Sequence, residues 1–161
     1  MQKILLVLIL ILTLGSHSMA YEEANYETIS ENKNYEIRKY FDRLVIETDS
    51  TEGNGFRKLF NYISGNNEGK KEIKMTVPVT QENKGGNIKM QFYLPSKFNK
   101  DNAPKPSNPE IKVLNIEGGY YAVIKYSGRS SDKNFIKNKN ILEKELKKDD
   151  IVILSPPIRA S

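Results

Sequence analysis

The sequence predicts one α+β domain assembled from a unit that occurs twice. Three observations lead there. A pair of short strand-like runs precedes an amphipathic stretch at residues 54–65, the same order recurs over residues 111–148, and a polar, proline-rich segment separates the two blocks. A chain of 161 residues suits one domain with a core of its own, whereas either half alone is too small to bury its helix.

Taken in order, residues 1–20, "MQKILLVLILILTLGSHSMA", carry one cation, Lys3, then an apolar run from Ile4 to Leu14, then Ser18 and Ala20 on either side of Met19. This is the pattern of a signal peptide cut after Ala20. The run is too short to anchor the chain across a hydrocarbon core of about 30 Å. The expected product is therefore a single domain over 21–161, exported to a periplasm or secreted, with no stable membrane anchor once the leader is removed. Tyr35–Tyr40 and Arg43–Thr48 read as two strands with a tight connection at Phe41-Asp42. In "NGFRKLFNYISG", Phe56, Leu59, Phe60 and Ile63 fall at i, i+3, i+4 and i+7, one apolar stripe on a helix. Asn54 suits the N-cap, and Gly65 stands where a left-handed C-cap is wanted.

"EIKMTVPVTQ" follows, with Ile73, Met75, Val77 and Val79 at the period of a half-buried strand. Pro78 lacks an amide hydrogen, so it marks an edge strand or a bend. "NKGGN" at 83–87 supplies a turn, and Ile88, Met90, Phe92 and Leu94 return on one face as the second arm of a hairpin. Residues 96–110 hold Pro104, Pro106 and Pro109 and read as a linker across the surface. "IKVLNI" and "YYAVIKYSG" are strands joined at Gly118-Gly119, and a helix runs from about Ser131 to Lys148, with Phe135, Leu142 and Leu146 at near-helical spacing. Asp132 near its start and Lys147-Lys148 near its end suit the helix dipole. "IVIL", residues 151–154, starts a further strand.

The chemistry this composition allows is narrow. The one histidine, His17, lies inside the leader, and there is no cysteine, which leaves no disulfide and no lipid attachment thiol. Losing Lys3 with the leader lowers the formal net charge from +5 to +4. The lysines are interspersed with acidic residues, which makes a solvated surface and not the clustered basic face of a nucleic-acid binder. Glu143 with Glu145 and Asp149 with Asp150 do not converge at helical spacing, so no metal site is expected. Ser130-Ser131-Asp132-Lys133 matches S-x-x-K, but its companion motifs are missing and a helix N-terminus explains it. There is no G-x-S-x-G, P-loop or dinucleotide fingerprint, so no enzyme is expected. Nine Tyr and six Phe, with Met75 and Met90 on adjacent strands, build either an ordinary core or an apolar ligand surface.

Four stretches in the same order resemble the SOUL haem-binding protein family: "YEIRKY" at 35–40, "LFNYISGNN" at 59–67, "IKMTVPV" at 73–79, and "FYLPSKF" with "APKPSNPEIKV" over 92–113. With the Gly118-Gly119 turn the resemblance covers Tyr21 to Ser161. It implies a distorted antiparallel β-barrel flanked by two helices, built from a duplicated β-α-β-β-type unit and similar to bacterial effector-binding domains that hold apolar cations. It implies haem as a non-covalent ligand, or a related porphyrin, held on an apolar surface along the first helix. Here the nearest positions are Phe56 and Phe60, with Arg57 beside them for a propionate, and Met75 and Met90 as a second apolar face. Two departures matter. Some members are thought to use a histidine as axial ligand, and the mature chain has none, so binding without histidine ligation is expected. The family pattern also continues past a Pro-Pro segment to a closing R-R-N-E-V strand, whereas this sequence reads "SPPIRAS", so the final strand is expected to be missing. The alternative to a non-enzymatic porphyrin binder is an effector-binding module for other amphipathic or cationic small molecules, with no haem role.

Overall fold

The structure of the protein, a computed structural model, describes residues 21–161; the leader expected over residues 1–20 lies outside them. Ten strands and two helices follow the order β1 (Glu22–Glu23), β2 (Tyr26–Glu31), β3 (Glu36–Tyr40), β4 (Arg43–Ser50), α1 (Gly55–Ile63), β5 (Thr76–Val77), β6 (Val79–Lys84), β7 (Asn87–Tyr93), β8 (Lys112–Ile116), β9 (Gly119–Val123), α2 (Asp132–Lys148) and β10 (Arg159–Ala160). The class is α+β, as expected. The strands are divided among three open sheets of order β10-β6-β7-β4-β8, β2-β3-β9 and β1-β5, and no closed barrel is found among the described residues.

The two short strand pairs are not hairpins. β3 does not fold back on β4, and β8 does not fold back on β9. Instead β3 pairs with β9 and β4 pairs with β8, both antiparallel. The register is continuous across the break, Tyr40 opposite Gly119 on one side and Arg43 opposite Ile116 on the other. Residues 36–47 and 112–123 therefore form one long two-stranded ribbon, bent where Phe41-Asp42 faces Glu117-Gly118. Each half of the ribbon belongs to a different sheet. The bend requires a residue without a side chain at position 118, because a Cβ there would sit 2.4 Å from the Tyr40 carbonyl oxygen. Asp42 braces the bend by accepting the Gly118 amide N–H at 2.7 Å.

β4 is the centre of the larger sheet. Leu44, Val45 and Ile46 are all buried, which explains a continuous apolar run in place of strict alternation. The Lys84 to Asn87 turn carries Gly85 and Gly86, both at positive φ, the conformation a two-residue hairpin loop needs. Pro78 does mark a break in pairing. β5 before it pairs in parallel with β1, β6 after it pairs with β7, and the Val77–Pro78 bond between them is cis.

α1 lies on one face of the larger sheet, burying Leu59, Tyr62 and Ile63 against a core that includes Ile46, Met90 and Phe92. Asn54 occupies its N-cap position but makes no side-chain cap; its amide oxygen accepts from the Ser50 hydroxyl instead. At the other end Gly65, at φ +105, donates to Tyr62, and Asn66 donates to Asn61, a paired closure of the helix. The proline-rich segment crosses the surface as expected, yet it is anchored: Phe98 is buried, and Pro104 accepts the Tyr62 hydroxyl at 2.6 Å.

α2 begins at a real cap, the Ser131 hydroxyl oxygen accepting the Asn134 amide at 3.3 Å, so the run Ser130-Ser131-Asp132-Lys133 lies at a helix N-terminus. Leu146 is its one buried residue. It is tied to the start of β3 by Asn34, donating to Glu145 at 2.9 Å, and by a short bond from the Tyr35 hydroxyl to Asp149. The strand expected at 151–154 does not form. Val152 and Leu154 are 77% and 92% exposed, and no strand edge among the described residues comes to meet them. β propensity needs a partner ladder to act. The chain pairs again at β10, against β6, with Arg159 bonded to Asp132 at 2.8 Å.

Candidate functional site

The five residues expected to receive a ligand are divided by the fold: Phe56, Arg57 and Phe60 are exposed, Met90 is buried and Met75 is partly buried. α1 presents Leu59, Tyr62 and Ile63 inward, so the apolar stripe over Phe56, Leu59, Phe60 and Ile63 does not face one way. Phe56 and Phe60 sit at its edge, 46% and 47% exposed. Their rings lie 6.0 Å apart and 12° from parallel, and Phe56 also meets Phe92 edge-on at 5.2 Å. The pair is thus a ridge whose base is fixed by the core and whose outer faces meet solvent. A ridge of this kind offers a flat apolar surface at little ordering cost.

Arg57 is exposed beside the ridge. Its neighbour Lys58 is engaged, 2.9 Å from Glu110, and that ammonium holds the Glu110 carboxyl below its ordinary range. Met90 does not join the ridge. It is buried beneath α1, close to where Gly55 brings the helix against the sheet. Met75 lies just before β5, partly buried against the same core. The two methionines are therefore wall rather than surface. The acidic side chains of α2 are engaged separately, Glu143 with Lys139 at 3.2 Å and Glu145 with Lys148 and Asn34.

A second cluster was not expected from spacing. Arg38 on β3 is 5% exposed, its guanidinium 4.1 Å from the Tyr26 ring and donating to Glu36 at 2.7 Å and the Tyr40 hydroxyl at 3.1 Å. Burial works against its charge, but the bonds to Glu36 and Tyr40 outweigh burial and raise its pKa. Arg38, and then Lys125 at 3.0 Å, hold the Glu36 carboxyl below its ordinary range. Across the bend, Arg43 lies 5.1 Å from the Tyr40 ring, 4.9 Å from Tyr93 and 5.8 Å from Tyr121. Burial pushes the Tyr93 hydroxyl up, with Arg43 pulling the other way. The signal in the sequence was Arg38, Tyr40 and Arg43 in "YEIRKYFDRLV". Two strands meeting at a bend bring them together, and residue spacing does not reveal the bend.

Comparison with known proteins places these features in context. Residues 21–158 match the family described as SOUL heme-binding protein. Over 93 residues the chain is 34% identical to "Heme-binding protein 2" of Mus musculus and 35% identical to "Heme-binding protein 2" of Homo sapiens. Each match covers 49% of this chain and 45% of the relative, so the chain spans about half the length of the curated relatives it matches.

Proposed function

The chain belongs to the SOUL heme-binding protein family, and on that premise we propose that it is a non-enzymatic binding protein that takes haem or a related porphyrin on the Phe56–Phe60 ridge of α1, without histidine ligation. The observation that carries this is the ridge itself. Two near-parallel aromatic rings are half exposed on a helix whose inner face, Gly55, Leu59, Tyr62 and Ile63, is buried, with the exposed cation Arg57 next to Phe56 in the chain. The residues fit a macrocycle laid flat: Phe56 and Phe60 take its apolar face and Arg57 takes a propionate. Apolar area removed from water contributes roughly 25 cal/mol per Å². Ordering costs offset much of that, so affinity is expected in the micromolar range, about −8 kcal/mol.

Haemin titrated into the protein is expected to give a saturable Soret change without a bis-histidine spectrum. Phe56→Ala with Phe60→Ala is expected to weaken it at least tenfold and to lower stability by about 1–3 kcal/mol, since it also loses the Phe56–Phe60 and Phe56–Phe92 ring contacts. An unsaturable titration removes haem from the reading; undiminished binding by the double variant removes the ridge.

Export follows from the leader pattern, and intact mass of extracytoplasmic protein is expected to show Tyr21 as the first residue. Retention of Met1 would rule that out. The repeated order β3–β4–α1 and β8–β9–α2 supports a duplicated unit whose sheets are walls of a distorted barrel; a crystal structure in which the two blocks superpose poorly would remove this reading.

A further inference from the structure

α2 sorts its charges by side. Along the sequence its lysines are interspersed with acidic residues, but the exposed positions recur at helical spacing and carry Lys133, Lys137, Lys144, Lys147 and Lys148. Ile136 and Ile141 are exposed among them. Glu143 and Glu145, the acidic residues of the helix beyond its first turn, are half-buried, engaged by Lys139 and by Asn34 with Lys148. Of the five exposed lysines, Lys148 alone is paired with a carboxylate among the described residues.

The exposed apolar segment joins this helix end. Asp150 turns the chain at φ +54, and the Ile151 amide N–H donates back to the Leu146 carbonyl oxygen at 2.9 Å. Residues 151–153 thereby run beside Glu143 and Lys147, around an open depression. Residues 151–158 carry no charge, and Val152 and Leu154 project into solvent. Pro156 and Pro157 lack the amide hydrogen, so the segment does not lengthen into a strand of its own. We infer that the outward face of α2 and residues 151–154 form one docking surface for an anionic phospholipid bilayer, the lysines on the headgroups and the aliphatic tips at the headgroup–acyl boundary.

The pairing of ammonium groups with exposed aliphatic side chains selects the partner. A bilayer supplies phosphates at its surface and hydrocarbon just beneath them, which answers both. A nucleic acid answers the lysines and leaves Val152 and Leu154 in water. A second copy, paired through the same patch, sets lysine face against lysine face. Asp149 and Asp150 oppose the field at the junction, two carboxylates against five ammonium groups, and Asp149 is engaged by the Tyr35 hydroxyl. The contact is interfacial. No helix among the described residues is long and apolar enough to cross a membrane, and the unpaired backbone of residues 151–154 keeps them out of the hydrocarbon centre. The ridge on α1 contributes none of these residues.

The test uses the full chain and co-sedimentation with vesicles, either phosphatidylcholine alone or an equal mixture of phosphatidylglycerol and phosphatidylcholine. Saturable binding to the mixed vesicles is expected, at least tenfold weaker on phosphatidylcholine and weakened by added salt. Lys137→Gln with Lys144→Gln is expected to lower affinity for the mixed vesicles at least tenfold. Val152→Ser with Leu154→Ser should do the same while keeping the salt dependence. All four side chains are exposed, so chemical denaturation of both variants should match the wild type; if the serine pair disturbs folding, Leu154→Ser alone is expected to weaken binding severalfold. Three vesicle results overturn the surface: no saturable binding to mixed vesicles, equal binding to phosphatidylcholine, or an affinity unaltered by either double variant, which would place the contact elsewhere in the chain. Two others reassign it. A dimer in solution abolished by Val152→Ser with Leu154→Ser gives the patch to a second copy, and duplex DNA bound more tightly than vesicles and indifferent to the serines gives the lysine face to nucleic acid. Failure of haemin to bind leaves the vesicle result standing.

Discussion

Tyr62 is fully buried under α1, where its hydroxyl donates to the Pro104 carbonyl oxygen, and burial pushes its pKa up to about 12. In the unfolded chain the hydroxyl titrates near 10. Between these values the folded state holds a proton that the unfolded state has lost, so this contribution is intact below pH 10 and disappears as pH rises towards 12. Denaturant unfolding at a series of pH values should show stability falling on the order of 2–3 kcal/mol across that window. Tyr62→Phe should flatten the slope and lower stability at neutral pH by about 1 kcal/mol through the lost hydrogen bond. A slope unchanged by Tyr62→Phe would assign it to another tyrosine. The inward role of Tyr62 was hidden in the sequence because the apolar stripe was read through Phe56 and Phe60. The helix rolls so that a tyrosine with a polar partner goes in and two phenylalanines stay half out, a choice made by the linker that supplies the Pro104 carbonyl.

Among the elements, the bent ribbon is the one on which the architecture depends. The sequence places a tight connection at Phe41-Asp42 and a join at Gly118-Gly119, and the structure puts the breaks at Phe41-Asp42 and Glu117-Gly118. The structure uses them as the two sides of one bend, which sends β3 and β9 into one sheet and β4 and β8 into another. Gly118→Ala places a methyl group against backbone, which cannot swing aside. The expected cost is about 1–3 kcal/mol, measured by chemical denaturation, whereas Gly85→Ala meets no atom and bears only the strain of its positive φ. Equal stability of Gly118→Ala and wild type would mean that the bend relaxes. The same bend brings Arg38 and Arg43 to either side of Tyr40, so the arginine–tyrosine cluster and the topology have one origin.

Across the whole molecule the apolar burial is uneven. The half around α1 holds the core, with β4 flanked on both sides and covered by the helix. The other half rests on a helix with one buried residue, followed by an exposed apolar segment at 151–154. Local stability should follow that division. In native-state hydrogen exchange the amides of β4 and β7 are expected to exchange last, near the global limit, and those of α2 well before them. Protection of α2 equal to that of β4 would show that α2 is held by contacts stronger than Leu146, Asn34 and Tyr35 provide. The haem ridge stands on the well-buried half, where its geometry does not depend on the looser helix.

Local chemistry was legible without coordinates wherever neighbours in sequence are also neighbours in space. The glycine pair of the β6–β7 turn, the left-handed residue closing α1, Ser131 and Asp132 at the start of α2, and the break at Pro78 are of this kind, because backbone dihedrals and caps are set within a few residues. The motifs of the SOUL family belong here too, and with them the class of fold. Pairing was not legible. Which strand lies beside β3, whether "IVIL" finds a ladder, which face of α1 turns inward and where two arginines converge are decided by residues far apart in sequence, 42 positions for Tyr62 and Pro104 and 76 for Asp42 and Gly118. Strand propensity is nearly the same for a hairpin and for a bent ribbon; the difference comes from burying β4 on both faces, which only the assembled sheets accomplish.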